Sequence, residues 1–237
     1  MYFAFLGKLM ALFDKLSQVL TTEITPDLIF NRKNENASTE VMYLEQLKQR
    51  HSMQKLGKRI HYDQSYLAEL IHTAVLSCPS ALNLQTTRIV VLFSKAHADF
   101  WNLVYEILEK QTPEHLFPAT AIKIKQSSAS YGTVLFFEDQ EQIRKIQKDV
   151  PLDSVEIPFW SEQTSGMAQY AVWMALTEVG LGANLNYYNP VIDYKIAQHL
   201  KVSAEWKLQT QLVFGSIEQD DVKNDSNKNQ AEFMVLK

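Results

Sequence analysis

The chain has 237 residues and a mass of 27.3 kDa, enough for one or two domains that bury a core of their own. Its 46% apolar and 21% charged residues are those of an ordinary globular domain; a single cysteine excludes an intramolecular disulfide and cysteine-cluster metal sites. The seven glycines form no G-x-G-x-x-G and no P-loop, and a net charge of −4 gives no footprint for nucleic acid.

Phe5, Leu9, Leu12, Phe13, Leu16, Val19 and Leu20 recur at helical spacing and predict an amphipathic N-terminal helix. The favoured partner for its apolar face is its own domain or a second copy; contact with a membrane surface is the other reading. Residues 31–39 are polar and aperiodic and read as a linker. Residues 1–40 are thus an N-terminal extension and 41–237 the main domain, although a start at Met42 would make residues 1–41 an upstream extension. No signal-peptide pattern or membrane span is read, and the one cysteine fits a cytoplasmic protein.

Helices are predicted over Val41–Lys48 and from an Asp63 or Ser65 cap to Pro79, the latter with Leu67, Leu70, Ile71, Ala74, Val75 and Cys78 on one face. Arg88–Phe93 reads as a buried strand and Phe100–Leu108 as an amphipathic helix. Thr133–Phe137 is a second apolar strand, followed by a helix over Gln140–Lys148. Ser161–Val179 is a long central helix ended by Gly180, Ile192–Leu200 a short one, and Leu208–Phe214 a third strand. The apolar run Phe233–Leu236 reads as a strand that pairs with a sheet edge, its own or a partner's. This mixture lacks strict βαβ alternation and predicts an α+β domain with a small sheet under many helices.

The histidines form no H-x-x-x-H pair, so no metal site is expected. Glu138 and Asp139 read as strand-end residues that cap the next helix. Three segments place polar side chains where packing does not ask for them. Arg50, His51 and Ser52 follow a helix, and a guanidinium fork beside a hydroxyl suits a phosphate. Pro79, Ser80, Asn83 and Gln85 lie on a turn, where amides can meet the alternating donors and acceptors of a heterocycle. A third runs from Trp160-Ser161-Glu162-Gln163 to the Asn- and Tyr-rich stretch Gly180–Pro190.

Together with Tyr131-Gly132-Thr133-Val134-Leu135-Phe136-Phe137-Glu138-Asp139, these segments resemble the FMN-dependent nitroreductase family over about Val41–Ile217. They are most similar to its subgroup of fungal fatty-acid-repression and oxidative-stress nitroreductases. The resemblance implies a small, mainly antiparallel sheet surrounded by helices in a domain-entwined homodimer, with FMN at the interface. It implies that Arg50, His51 and Ser52 meet the FMN phosphate. Pro79, Ser80 and Asn83 would reach the flavin of the other subunit, and Leu185, Asn186 and Tyr187 its N5 and O4 edge. Gln54 stands where many relatives carry a lysine near N1 and O2, which implies a lower flavin potential. The basic residue expected near the C-terminus is replaced by Phe233, with Lys228 or Lys237 as substitutes. The implied activity is hydride transfer from NADH or NADPH to flavin N5, then reduction of a small-molecule acceptor such as a nitroaromatic or quinone. The alternative is a flavin-binding regulatory or stress-response protein with little turnover.

Overall fold

A computed structural model describes residues 37–219 and 234–235, with side chains from residue 43. The expected N-terminal helix, Phe233, Lys228 and Lys237 lie outside the described residues. The chain divides into two units, Met1–Glu45 and Gln46–Lys237; the helix α1, Ala37–Gln49, contains the division and starts inside the segment expected to be a linker.

The second unit is built on an antiparallel sheet. Its strands are β1 (Leu56–Gly57), β2 (Thr87–Phe93), β3 (Gly132–Asp139), β4 (Gly182–Asn186) and β5 (Trp206–Ile217). β3 pairs with β2 on one side and with β5 on the other; β4 and β1 pair with the second half of β5. The helices are α2 (Gln64–Leu76), α3 (Ser94–Gln111), α4 (Phe117–Ala129), α5 (Gln140–Asp149), α6 (Ile157–Glu178) and α7 (Asp193–Leu200). The α+β reading therefore stands.

β3 is buried along nearly its whole length because helices cover both faces. Its side chains alternate, as a strand requires. Val134 and Phe136 join Leu67 and Ile71 of α2 and Val172 and Leu176 of α6. Leu135 and Phe137 join Phe100, Trp101 and Val104 of α3 and Ile124 of α4. Each such side chain contributes roughly 1.5–3 kcal/mol by leaving water, so β3 is the spine on which both helical layers depend.

Several boundaries follow from caps. Asp63 accepts from Tyr66 N at 2.7 Å and starts α2. Asp139 accepts from Gln142 N at 3.0 Å and starts α5, as its place at a strand end suggests. Glu138 does not cap; it turns inward and accepts from Ser161 at 2.8 Å and from Gln209 at 3.0 Å. α6 begins four residues before the expected Ser161, with Pro158 in its first turn. Cys78 is half-buried, its thiol donating to Ala74 O, and burial pushes its pKa up. Of the predicted edge strand Phe233–Leu236, the described pair Met234 and Val235 is exposed and outside any strand. No helix among the described residues is long and apolar enough to cross a membrane.

Candidate functional site

The helix α1 ends at Gln49, where Arg50 N still donates to Gln46 O at 3.1 Å. The next residues run beside β4. Ser52 bridges Ala183 in parallel, and Met53 N donates to Ala183 O at 3.1 Å. Gly182 lets them approach: a Cβ there would stand 2.7 Å from both Leu56 Cδ2 and Met53 Sδ. Two of the predicted segments, Arg50–Gln54 and Leu185–Asn186, are thereby brought side by side.

The Arg50 guanidinium lies over the Trp173 ring at 4.6 Å and the Tyr170 ring at 5.9 Å, both on α6. Stacking of this kind holds a cation in place at about 0.5–2 kcal/mol. Yet the buried Arg50 Nε has no hydrogen-bond partner. An oriented guanidinium with an unused donor can meet an anion. His51 Nδ1 lies 2.8 Å from Gln49 O, and the Ser52 side chain is exposed. On β4, the buried Asn186 Nδ2 also has no partner. An unpaired buried amide costs about 1–3 kcal/mol, so a ligand acceptor there would remove a real penalty.

Gln54, Asn184, Leu185 and Asn186 line a cleft of about 220 Å³, closed from the other side by Lys123 and Gln126 of α4. Tyr187, expected beside them, is exposed and not part of this cleft.

Pro79, Ser80 and Asn83 lie elsewhere. Ser80, Asn83 and Gln85 line a second cleft, about 540 Å³, with Arg88, Gln142 and Thr164; Pro79 is exposed at its rim. The loop is strained: Leu82, Asn83 and Gln85 have φ of 49°, 56° and 49°. A left-handed non-glycine residue costs about 1–2 kcal/mol, and such strain concentrates at functional sites. Leu82, 63% exposed, stands at its tip. Within one chain the predicted site is thus two separate half-sites.

Behind the second cleft, Ser161 Oγ stands 2.7 Å from Thr86 Oγ1 and donates to Glu138. Desolvation raises the Glu138 pKa, opposed by the Ser161 hydrogen bond. This chain of bonds ties α6 to the start of β2 and so to the strained loop.

Sequence reasoning did not find Trp173, Tyr170 or Lys123. The two aromatics are three residues apart on α6, a spacing that puts them on one face, and their pairing with Arg50 was the available signal. Lys123 lies on a helix that the sequence reading did not predict.

The pattern of the nitroreductase family matches residues 47–216. The chain belongs to the nitroreductase family. The nitroreductase FRM2 of Saccharomyces cerevisiae is 31% identical over 148 residues, 61% of this chain and 71% of that protein. Nitroreductase CinD of Lactococcus lactis, solved with nicotinic acid, is 36% identical with a TM-score of 0.71, over 82% of this chain and 100% of CinD. CinD has also been solved with 4-nitrophenol. A more distant structure from Desulfovibrio desulfuricans, 18% identical with a TM-score of 0.53 over 81% of this chain and 97% of that one, shares the fold and holds FMN. The nitroreductase fold and an oxidoreductase function at the family level are therefore established for the chain; the match covers both half-sites.

Proposed function

We propose that this nitroreductase-family chain is an FMN-dependent oxidoreductase. It would take reducing equivalents from NADH or NADPH and pass them to nitroaromatic, quinone or similar acceptors. The observation that carries this reading is the pair of unused buried donors, Arg50 Nε and Asn186 Nδ2, on two segments that β4 holds together. They fit a ligand with an anionic group and a heterocycle rich in acceptors. The FMN complex of the Desulfovibrio relative supports the choice of FMN. The CinD complexes with nicotinic acid and 4-nitrophenol support planar aromatic partners.

Bound FMN supplies the two-electron redox chemistry. The chain's part is to bind and orient. Arg50, fixed over Trp173, would meet the phosphate with charge-assisted bonds, with Ser52 adding a hydroxyl and His51 beside them. Gln54, Leu185 and Asn186 would face the heterocycle, the Gln54 and Asn186 amides donating and accepting, with the exposed Tyr187 next to them outside the cleft. Pro79, Ser80 and Asn83 open on another cleft of the same chain, so they would serve the FMN of a second copy. That division supports a homodimer.

The test is a visible spectrum of the purified protein before and after NADH or NADPH. A yellow preparation that bleaches and recovers with a nitroaromatic or quinone is expected. A colourless protein that does not take up added FMN would overturn the reading, and a yellow one that never bleaches would mark a flavin-binding protein without turnover. Arg50→Ala should weaken FMN binding about tenfold to a hundredfold, the worth of a charged hydrogen bond, measured by quenching of flavin fluorescence.

A further inference from the structure

We propose that Lys123 supplies the positive charge of the flavin-edge cleft, the charge that Gln54 does not carry. This rests on the FMN reading above. The cleft is lined by β4, by the segment after α1, and by α4. Gln54, Gln126, Asn184 and Asn186 are neutral amides, and Lys123 is the one charged residue on the wall. Its side chain is exposed, and among the described residues it takes part in no ion pair. No carboxylate lines the cleft to cancel it. The position is set by the fold. Ala121 and Ile124 bury α4 against the core, so Lys123 falls on the opposite, outward side.

Reduction adds electrons to the flavin, and the added negative charge is stabilised by a cation nearby and destabilised by its loss. A lone ammonium facing neutral amides acts in this way without a hydrogen bond of fixed geometry. Lys123 then binds the reduced cofactor more tightly than the oxidised one. Its place on α4, sixty-nine residues from Gln54 in sequence, sets an ammonium in a cleft whose other polar walls are amides and a hydroxyl.

The experiment uses the full-length protein loaded with FMN. The midpoint potential of bound FMN is measured by reductive titration against a reference dye, and the affinity for oxidised FMN is measured separately. Lys123→Gln should lower the ratio of reduced to oxidised affinity about tenfold, which is about 30 mV for a two-electron couple. Affinity for oxidised FMN should change less than threefold. Lys123→Arg should hold the potential, and Gln54→Lys placed in the Lys123→Gln protein should restore it, because charge and not shape is at work. An unchanged potential in Lys123→Gln overturns the proposal. So does a fall that neither Lys123→Arg nor the added Gln54→Lys prevents, which would mark a structural role. A wild-type protein that takes up no FMN overturns the functional reading and this proposal together; a wild-type protein that binds FMN while Lys123→Gln keeps its potential overturns this proposal alone.

Discussion

His97 sits 1% exposed beneath the sheet. Its Nε2 lies 3.2 Å from Ser128 O, an acceptor, so that nitrogen carries the proton. Its Nδ1 lies 2.9 Å from Thr133 Oγ1, which already accepts from Trp101 Nε1 at 2.9 Å and so turns its own proton to the ring. The neutral imidazole satisfies every group; a second proton, on Nδ1, would turn the Thr133 hydroxyl's own proton away from the ring. Burial accordingly pushes the pKa of His97 down to about 4 from 6.5, with Lys58 adding to the fall and the Ser128 contact opposing it. The unfolded histidine takes a proton below pH 6.5 that the folded one refuses. Stability from His97 is therefore full above 6.5 and is lost as pH falls toward 4, by about 2 to 3 kcal/mol. Asp193 acts in the other direction: burial raises its pKa to about 6, so its contribution is present at low pH and lost as pH rises from 3.8 to 6. The two partly cancel in the wild type. His97→Gln removes one of them, and the difference in urea midpoint between the two proteins should shrink steadily from pH 6.5 to 4. A constant difference would show that His97 does not titrate in the folded chain.

At the scale of elements, legibility followed apolar patterning. β3 and α6 were readable as apolar stretches of fitting length, and α3 because its apolar residues repeat at the helical period. β4 was not: Gly-Ala-Asn-Leu-Asn has poor strand propensity, and pairing with β5 holds it in place. α4 was missed for a similar reason, since its sequence mixes β-branched residues with Ser and Lys, and its start is marked only by Pro118. The half-site residues stood out because they were polar in unexpected places, whereas Lys123, on the unread helix, looked like any surface lysine. Gly182 joins these elements, because the segment after α1 reaches β4 over it. Gly182→Ala forces the buried ends of Leu56 and Met53 aside. The expected cost is about 1 to 2 kcal/mol, seen as a fall of several degrees in Tm. FMN affinity should fall with it, since Arg50 and Ser52 are carried by the displaced segment. An unchanged Tm with weaker FMN binding would show that the glycine serves the ligand alone.

For the whole molecule, the decisive feature is that the two predicted half-sites open on different clefts of one chain. Arg50 stands with β4 and α6; Asn83 stands on the strained loop between α2 and β2. If each FMN is held by Arg50 of one copy and Asn83 of another, as we propose, damage in the two halves must complement. An Arg50→Ala homodimer has two damaged sites, and so has an Asn83→Ala homodimer. A mixed dimer gathers both lesions into one site and leaves the other intact. Co-expression of the two variants with different tags, or unfolding and refolding of an equal mixture, gives random pairing. Half the dimers are then mixed, and about a quarter of all sites should bind FMN with wild-type affinity. A titration of the mixture should show a tight class that neither parent has, and purification through both tags should raise it to about half of the sites. Sites made within one chain cannot behave so: each would keep its own lesion, and the mixture would bind as the average of its parents. The shared arrangement would give the strain at Leu82, Asn83 and Gln85 a reason, because the loop's exposed tip would then have a surface to meet.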